Sequence, residues 1–111
     1  ILLEVNVGKE ESKSGIFLEG LNDLIAEVSE MENIKIKGLM TIPPICDSEA
    51  EVSKYFESMY QTFIDIKNKK IDNVDMDILS MGMSHDYEAA VKNGSNIVRV
   101  GSAIFGARKY F

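Results

Sequence analysis

The sequence predicts an α/β fold in which four parallel strands alternate with helices, about half of an eight-unit β/α barrel. Three observations carry that expectation. Short apolar, β-branched runs recur along the 111 residues, most of them followed by a loop containing glycine or proline. Between the runs lie segments whose apolar residues repeat every three or four positions, the period of an amphipathic helix. The strand segments are nearly continuously apolar, as parallel strands covered by helices are, instead of alternating apolar with polar. A full barrel of this kind takes roughly 250 residues, so four units fit the length.

The elements follow in order. Ile1 to Val7 reads as a strand, apolar apart from Glu4 and Asn6, and Gly8 to Gly15 as a polar loop bounded by glycines. From Ile16 to Met31, Phe17, Leu21, Leu24, Ile25, Val28 and Met31 recur at helical spacing, with Asn33 as the stop. Ile34 to Met40 is a second strand, ended by Pro43 and Pro44, which cannot both continue a ladder. Ser48 and Glu51 fit a capping box that starts the longest helix. Val52, Tyr55, Phe56, Met59, Tyr60, Phe63 and Ile66 form its apolar stripe, and the cations of Lys67 to Lys70 suit its C-terminus. A third strand covers about Met76 to Met81, and a short helix runs from Ser84 to Asn93 with Gly94 as a left-handed C-cap. Asn96 to Val100 is the fourth strand, and Gly101 and Ser102 lead into a last helical turn around Ala103 to Ala107.

Composition narrows the function. With 45% hydrophobic residues the chain can pack one core. Its apolar runs fall far short of the roughly 20 residues that span a bilayer, and no charged-then-apolar leader opens it, which points to the cytoplasm and away from a membrane. The formal charge of −6 argues against nucleic acid or anionic lipid as a partner, since either needs a basic patch. Any phosphate site must therefore be local. Cys46, the single cysteine, cannot form an internal disulfide and reads as a loop thiol in a reducing compartment. Ile1 is no initiator methionine and opens a strand without lead-in, so residues 1–111 are read as a partial barrel domain truncated on its N-terminal side.

In parallel α/β folds the loops that follow the strands form the functional face. Leu79-Ser80-Met81-Gly82-Met83-Ser84 places a glycine in a turn and a serine at an expected helix N-cap, where backbone N–H groups and a hydroxyl can meet an anion. Gly101-Ser102-Ala103 repeats the pattern one strand later. Barrels often hold phosphate between their last two such loops, although ordinary capping explains each loop equally well alone. Arg99 shares a strand face with Ile97, and its charged, donor-only guanidinium needs a partner. That partner is either a barrel carboxylate in a structural ion pair or an acceptor on a ligand. Lys9, Glu10, Glu11 and Lys13 read as a solvated charge run. His85, the only histidine, has no second ligand near it in sequence, so neither a metal nor any other role is assigned to it.

Together, Val5-Asn6-Val7-Gly8 with Lys13-Ser14-Gly15, Lys37-Gly38-Leu39-Met40-Thr41-Ile42-Pro43, Leu79 to Asp86 and Val98 to Arg108 resemble the pyridoxal phosphate homeostasis proteins. This PROSC-like family has the barrel fold of the N-terminal domain of alanine racemase, and the match runs nearly end to end. The resemblance implies the C-terminal half of such a (β/α)8 barrel. It also implies that Ser84, Gly101 and Ser102 contact the phosphate of pyridoxal 5′-phosphate, that Met83 contributes backbone, and that Arg99 faces the pyridine nitrogen. An arginine there keeps its proton, leaves the ring nitrogen unprotonated and makes the cofactor a poorer electron sink, which suits carriage over carbanion chemistry. Alanine racemase nevertheless places an arginine similarly.

In the family a lysine on an early barrel strand holds the aldehyde as a Schiff base, and this chain starts after that strand. Lys35 and Lys37 begin their strand at the opposite end, Lys54, Lys67, Lys69, Lys70 and Lys92 lie on helix surfaces or ends, and Lys13 sits in a mobile-looking loop. The expectation is a chain that binds pyridoxal phosphate non-covalently and weakly, to carry or buffer it, with apo-enzymes as candidate recipients and no catalytic residue of its own. The alternative is a fragment of a fold-type III enzyme such as an amino-acid racemase, which needs a covalent lysine, a second acid/base and usually a further β domain. An interaction module is the third reading. Open edges along Ile1 to Val7 and Asn96 to Val100 invite self-association.

Overall fold

Four apolar segments pair side by side in one parallel sheet of order β1-β2-β3-β4. In the computed structural model, which describes residues 1–106, β1 is Leu2–Val5, β2 Ile36–Thr41, β3 Val74–Met83 and β4 Ile97–Arg99. Alternating with them are α1 (Leu18–Ser29), α2 (Glu49–Lys69), α3 (Tyr87–Lys92) and α4 (Ser102–Phe105). Neighbouring strands are consecutive in sequence and each connection passes through a helix, the crossover that parallel pairing requires. Leu3, Leu39 and Leu79 are register partners across three strands. All three are buried in one cluster with Leu21 and Ile25 of α1 and Phe56, Met59 and Phe63 of α2. The adjacent row runs Glu4, Met40, Ser80, Ile97 and belongs to the face that lines the interior of a closed barrel. There Glu4 and Met40 are half-buried and Ile97 is exposed. The architecture is thus an open arc of four β/α units of a TIM-type barrel, its helices on one side.

The long helix forms as expected. Ser48 is its N-cap, the hydroxyl accepting the Glu51 N–H at 3.2 Å, and Lys70 closes it in the left-handed region at φ 50°. Val52, Phe56, Met59, Phe63 and Ile66 are the buried stripe, whereas Tyr60 lies at its margin. Gly94 has φ +101°, and a Cβ there would come within 2.3 Å of the Tyr60 ring, so the turn after α3 and the packing of α2 both need glycine. No helix among the described residues is long and apolar enough to cross a membrane.

Boundaries move for identifiable reasons. The first strand ends at Val5 instead of Val7 because Asn6 is buried and turns inward. Its amide donates to the carbonyls of Glu10 at 2.6 Å and Lys13 at 3.3 Å and accepts the Glu10 N–H at 3.0 Å. The loop read as a solvated, mobile-looking charge run is therefore organised around one buried side chain. Ile16 does not start α1. Its N–H donates to Glu4 O at 2.9 Å and its carbonyl accepts the Asn6 N–H at 2.8 Å, a one-residue parallel bridge on the outer edge of β1. At the other end α1 stops at Ser29, leaving Met31 exposed and Asn33 left-handed at φ 65°.

The third strand is longer than expected at both ends, since Val74 pairs with Ile36 and Met83 with Arg99. The third helix is shorter and begins at Tyr87, so Ser84 is not its N-cap. The fourth strand begins at Ile97 because Asn96 docks by its side chain: Oδ1 accepts the Leu79 N–H at 2.8 Å and Nδ2 donates to Asp77 O at 2.7 Å. The last turn spans Ser102–Phe105, and Ala107, placed in it by the sequence analysis, lies outside the described residues.

Candidate functional site

The C-terminal ends of β3 and β4 lie side by side, and the short segments after them enclose a concave space of about 510 Å³. Met83, Ser84, Arg99, Gly101 and Ser102, the five residues singled out from sequence, all line it, with His85 and Phe105 beside them. Parallel pairing in consecutive order is what assembles the group: Met83 ends β3, Arg99 ends β4, and the two are register partners.

Ser84 sits in the turn after β3, and its hydroxyl reaches across to the next loop. Its Oγ accepts the Gly101 N–H at 3.1 Å and the Ala103 N–H at 3.0 Å. Two backbone donors thus converge on one oxygen, the geometry an anion's oxygen uses. A Cβ built on Gly101 would meet nothing within 4 Å, so the space before that glycine is open. The turn itself is fixed by Asp86, whose Oδ1 accepts the Met83 N–H at 2.7 Å while its own N–H donates to Met83 O at 3.2 Å. His85, left without a role above and placed there in a helix, lies in this turn with Nε2 3.4 Å from Asp86 Oδ2.

Arg99 has neither of the two partners weighed for it in this structure. No carboxylate among the described residues comes within ion-pair distance of it; instead its Nη2 donates to the Thr41 carbonyl at 2.8 Å, across β3 to the end of β2. Thr41 is itself tied back, its hydroxyl donating to Val5 O at 2.6 Å. The Nε–H of Arg99 is buried with no hydrogen-bond partner among the described residues. Desolvation lowers the Arg99 pKa, and the charges of Asp86 and Glu4 oppose that shift, so the guanidinium stays cationic at neutral pH. A cationic guanidinium lining the same space as two converging N–H groups fits an anionic ligand such as a phosphate.

The described lysines are engaged elsewhere or lie on helix surfaces. Lys35 and Lys37 pair with Asp75 and Asp77 at the opposite end of the strands, Lys13 with Glu10 at 3.4 Å, Lys9 with Glu19 and Lys92 with Glu49. Cys46 is half-buried with its Sγ 3.3 Å from Pro44 O, and burial, followed by neighbouring carboxylates, raises its pKa, so it stays a thiol. Among the described residues no cluster of three or more histidine, cysteine or acidic side chains is placed to hold a metal. Asp86, His85 and Phe105 are the residues that sequence reasoning missed. Asp86 had a faint signal, since aspartate two positions after a turn serine often bonds nearby backbone.

Comparison with known proteins bears on the same residues. A family model described as alanine racemase, N-terminal domain, matches residues 1–109. Pyridoxal phosphate homeostasis proteins of Aquifex aeolicus and Escherichia coli are 44% and 43% identical over 110 residues, 99% of this chain and 47% and 46% of theirs. The chain therefore spans about half the length of these curated relatives. Among solved structures, an unknown protein from Bifidobacterium adolescentis superposes with a TM-score of 0.87 at 37% identity, covering 94% of this chain and 42% of that one. PipY of Synechococcus elongatus, solved with pyridoxal phosphate bound, gives 0.80 at 28% identity over 95% of this chain and 48% of its own.

Proposed function

This chain belongs to the alanine racemase N-terminal domain family, and from that premise we propose that it binds pyridoxal 5′-phosphate and serves to hold, buffer or deliver it. The observation that carries the reading is the convergence of the Arg99 side chain and the backbone donors gathered by Ser84 on one space at the C-terminal ends of β3 and β4. The names of the relatives and the cofactor bound to PipY support it. Ser84, Gly101 and Ser102, with Met83 backbone, take the phosphate. The Gly101 and Ala103 N–H groups that Ser84 Oγ now satisfies pass to a phosphate oxygen, and the released hydroxyl donates in turn.

Arg99 takes the pyridine nitrogen. When bound, the cofactor supplies an aldehyde and an electron-withdrawing ring. Arg99 cannot hand that ring nitrogen a proton, because a guanidinium holds its protons far above neutral pH. The site accordingly favours storage over carbanion chemistry. Among the described lysines none lines the cavity, so attachment is non-covalent and correspondingly weak. Residues 1–111 act as one partial barrel domain, with apo-enzymes as recipients and a second copy of the chain as a further partner.

Titration with pyridoxal phosphate and with unphosphorylated pyridoxal, followed by borohydride trapping and intact mass, tests the reading. Phosphate-dependent binding without a trapped adduct is the expected result. Equal affinity for both compounds, or none for either, would overturn it, and specific trapping at Lys13 would replace non-covalent attachment by a covalent site.

A further inference from the structure

We propose that Asp86 is the positioning residue of this site, a buried acceptor that fixes the Met83–Asp86 turn and so aims Ser84 at the phosphate; the inference rests on the reading of the site given above. Asp86 closes the turn from both directions, its Oδ1 on the Met83 N–H at 2.7 Å and its N–H on Met83 O at 3.2 Å. Ser84 lies inside that closed turn, so its Cα–Cβ direction is set by the two bonds. Its hydroxyl then joins the turn to the following loop through Gly101 and Ala103. One carboxylate thereby organises both segments that face the cavity without belonging to its lining.

The chemistry says which property of Asp86 matters. A negative charge close to a phosphate opposes binding, so the carboxylate helps through a fixed acceptor oxygen and not through its charge. Its second oxygen faces His85 Nε2 at 3.4 Å, and Arg99 feels its field, so its charge is partly balanced where it stands. An asparagine offers the same Oδ1 to Met83 and removes the charge; an alanine removes both.

The test compares the 111-residue chain with Asp86→Ala and Asp86→Asn in two measurements: affinity for pyridoxal phosphate against pyridoxal, and amide hydrogen exchange of Met83, Gly101 and Ala103 without ligand. Asp86→Ala is expected to cut the preference for the phosphorylated compound about tenfold, the scale of one lost buried hydrogen bond, and to speed exchange at all three amides. Asp86→Asn is expected to keep both within about twofold. A wild-type preference in Asp86→Ala, or an Asp86→Asn protein as impaired as the alanine variant, would overturn the positioning role. Should Asp86→Ala fail to fold, Asp86→Asn decides alone: retained preference and protection support the role, their loss overturns it. Absence of phosphate-dependent binding in the wild type would instead overturn the site reading, and the exchange measurement would still judge what holds the turn.

Discussion

On the proposed reading Arg99 takes the ring and Ser84 the phosphate, and that division can be measured. Arg99→Gln removes the guanidinium that donates Nη2 to Thr41 and, on that reading, faces the ring nitrogen. It should weaken pyridoxal phosphate and pyridoxal by a similar factor of about ten or more, as expected for a lost charge-assisted bond. Ser84→Ala should weaken only the phosphorylated compound, since its hydroxyl faces the Gly101 and Ala103 amides. Isothermal titration of the two variants with both compounds separates the outcomes. A loss confined to pyridoxal phosphate in Arg99→Gln would show that the arginine serves the phosphate.

At the scale of elements, the sheet contains a position where a single methyl group meets backbone and not a side chain. A Cβ on Gly38 would lie 1.8 Å from the Ile78 carbonyl oxygen of the next strand, so the backbones themselves must part. Gly38→Ala should cost about 3 kcal/mol, at the upper end of overpacking penalties, read as a lower urea midpoint with an unchanged slope. Ser48→Ala, which removes the cap of α2, should cost about 1 kcal/mol in the same assay.

The N-terminal ends of β2 and β3 are tied by Lys35 and Lys37 to Asp75 and Asp77. Hydrogen bonding to Lys35 above all holds the Asp75 pKa below its usual value. That contribution is present above the ordinary carboxylate range near about 4 and is lost as pH falls through the lower folded value. Lys37, raised chiefly by its bond to Asp77, contributes below the ordinary lysine range and loses that contribution as pH rises through its raised value. Both groups are solvent-exposed, so the effect is small and salt-sensitive. Thermal melts should lose stability below about pH 4, and Asp75→Asn should flatten that limb at low salt and leave it unchanged at high salt.

Strand and helix order was legible because each segment carries its own period: Leu2–Val5 and Ile36–Thr41 are apolar runs, and Val52 to Ile66 repeats at helical spacing. What escaped was set by single polar side chains acting across the fold. Asn6 ends β1, Asn96 docks β4, and Ser84 bonds the following loop and not its own helix. Nothing in local periodicity tells an asparagine that folds inward from one that faces water. The five residues proposed for the site come together because strand order brings consecutive loops side by side, whereas Asp86, bonded to Met83, carried only a faint signal.

For the whole molecule, the open arc leaves apolar surface on its interior side and at its rims, with Ile1 55% and Ile97 43% exposed. The outer edge of β1 is partly occupied by Ile16, which leaves the three residues of β4 as the freer rim. Sedimentation velocity over a wide concentration range should show reversible self-association, weakened by Ile97→Lys, because a lysine on an edge strand discourages pairing. A single monomeric species at high concentration would count against it.

The bond from Arg99 to Thr41 links positions 58 residues apart in the chain, and Thr41 is anchored in turn to Val5. The cavity therefore requires the last strand to be in place against the other three, a long-range closure with its own entropic cost. A ligand that needs the cavity distinguishes finished molecules from unfinished ones. On the proposed reading, pyridoxal phosphate a hundredfold above its dissociation constant would add about 2.7 kcal/mol to the native state by mass action, so abundance of the folded chain would rise and fall with the supply of that small molecule.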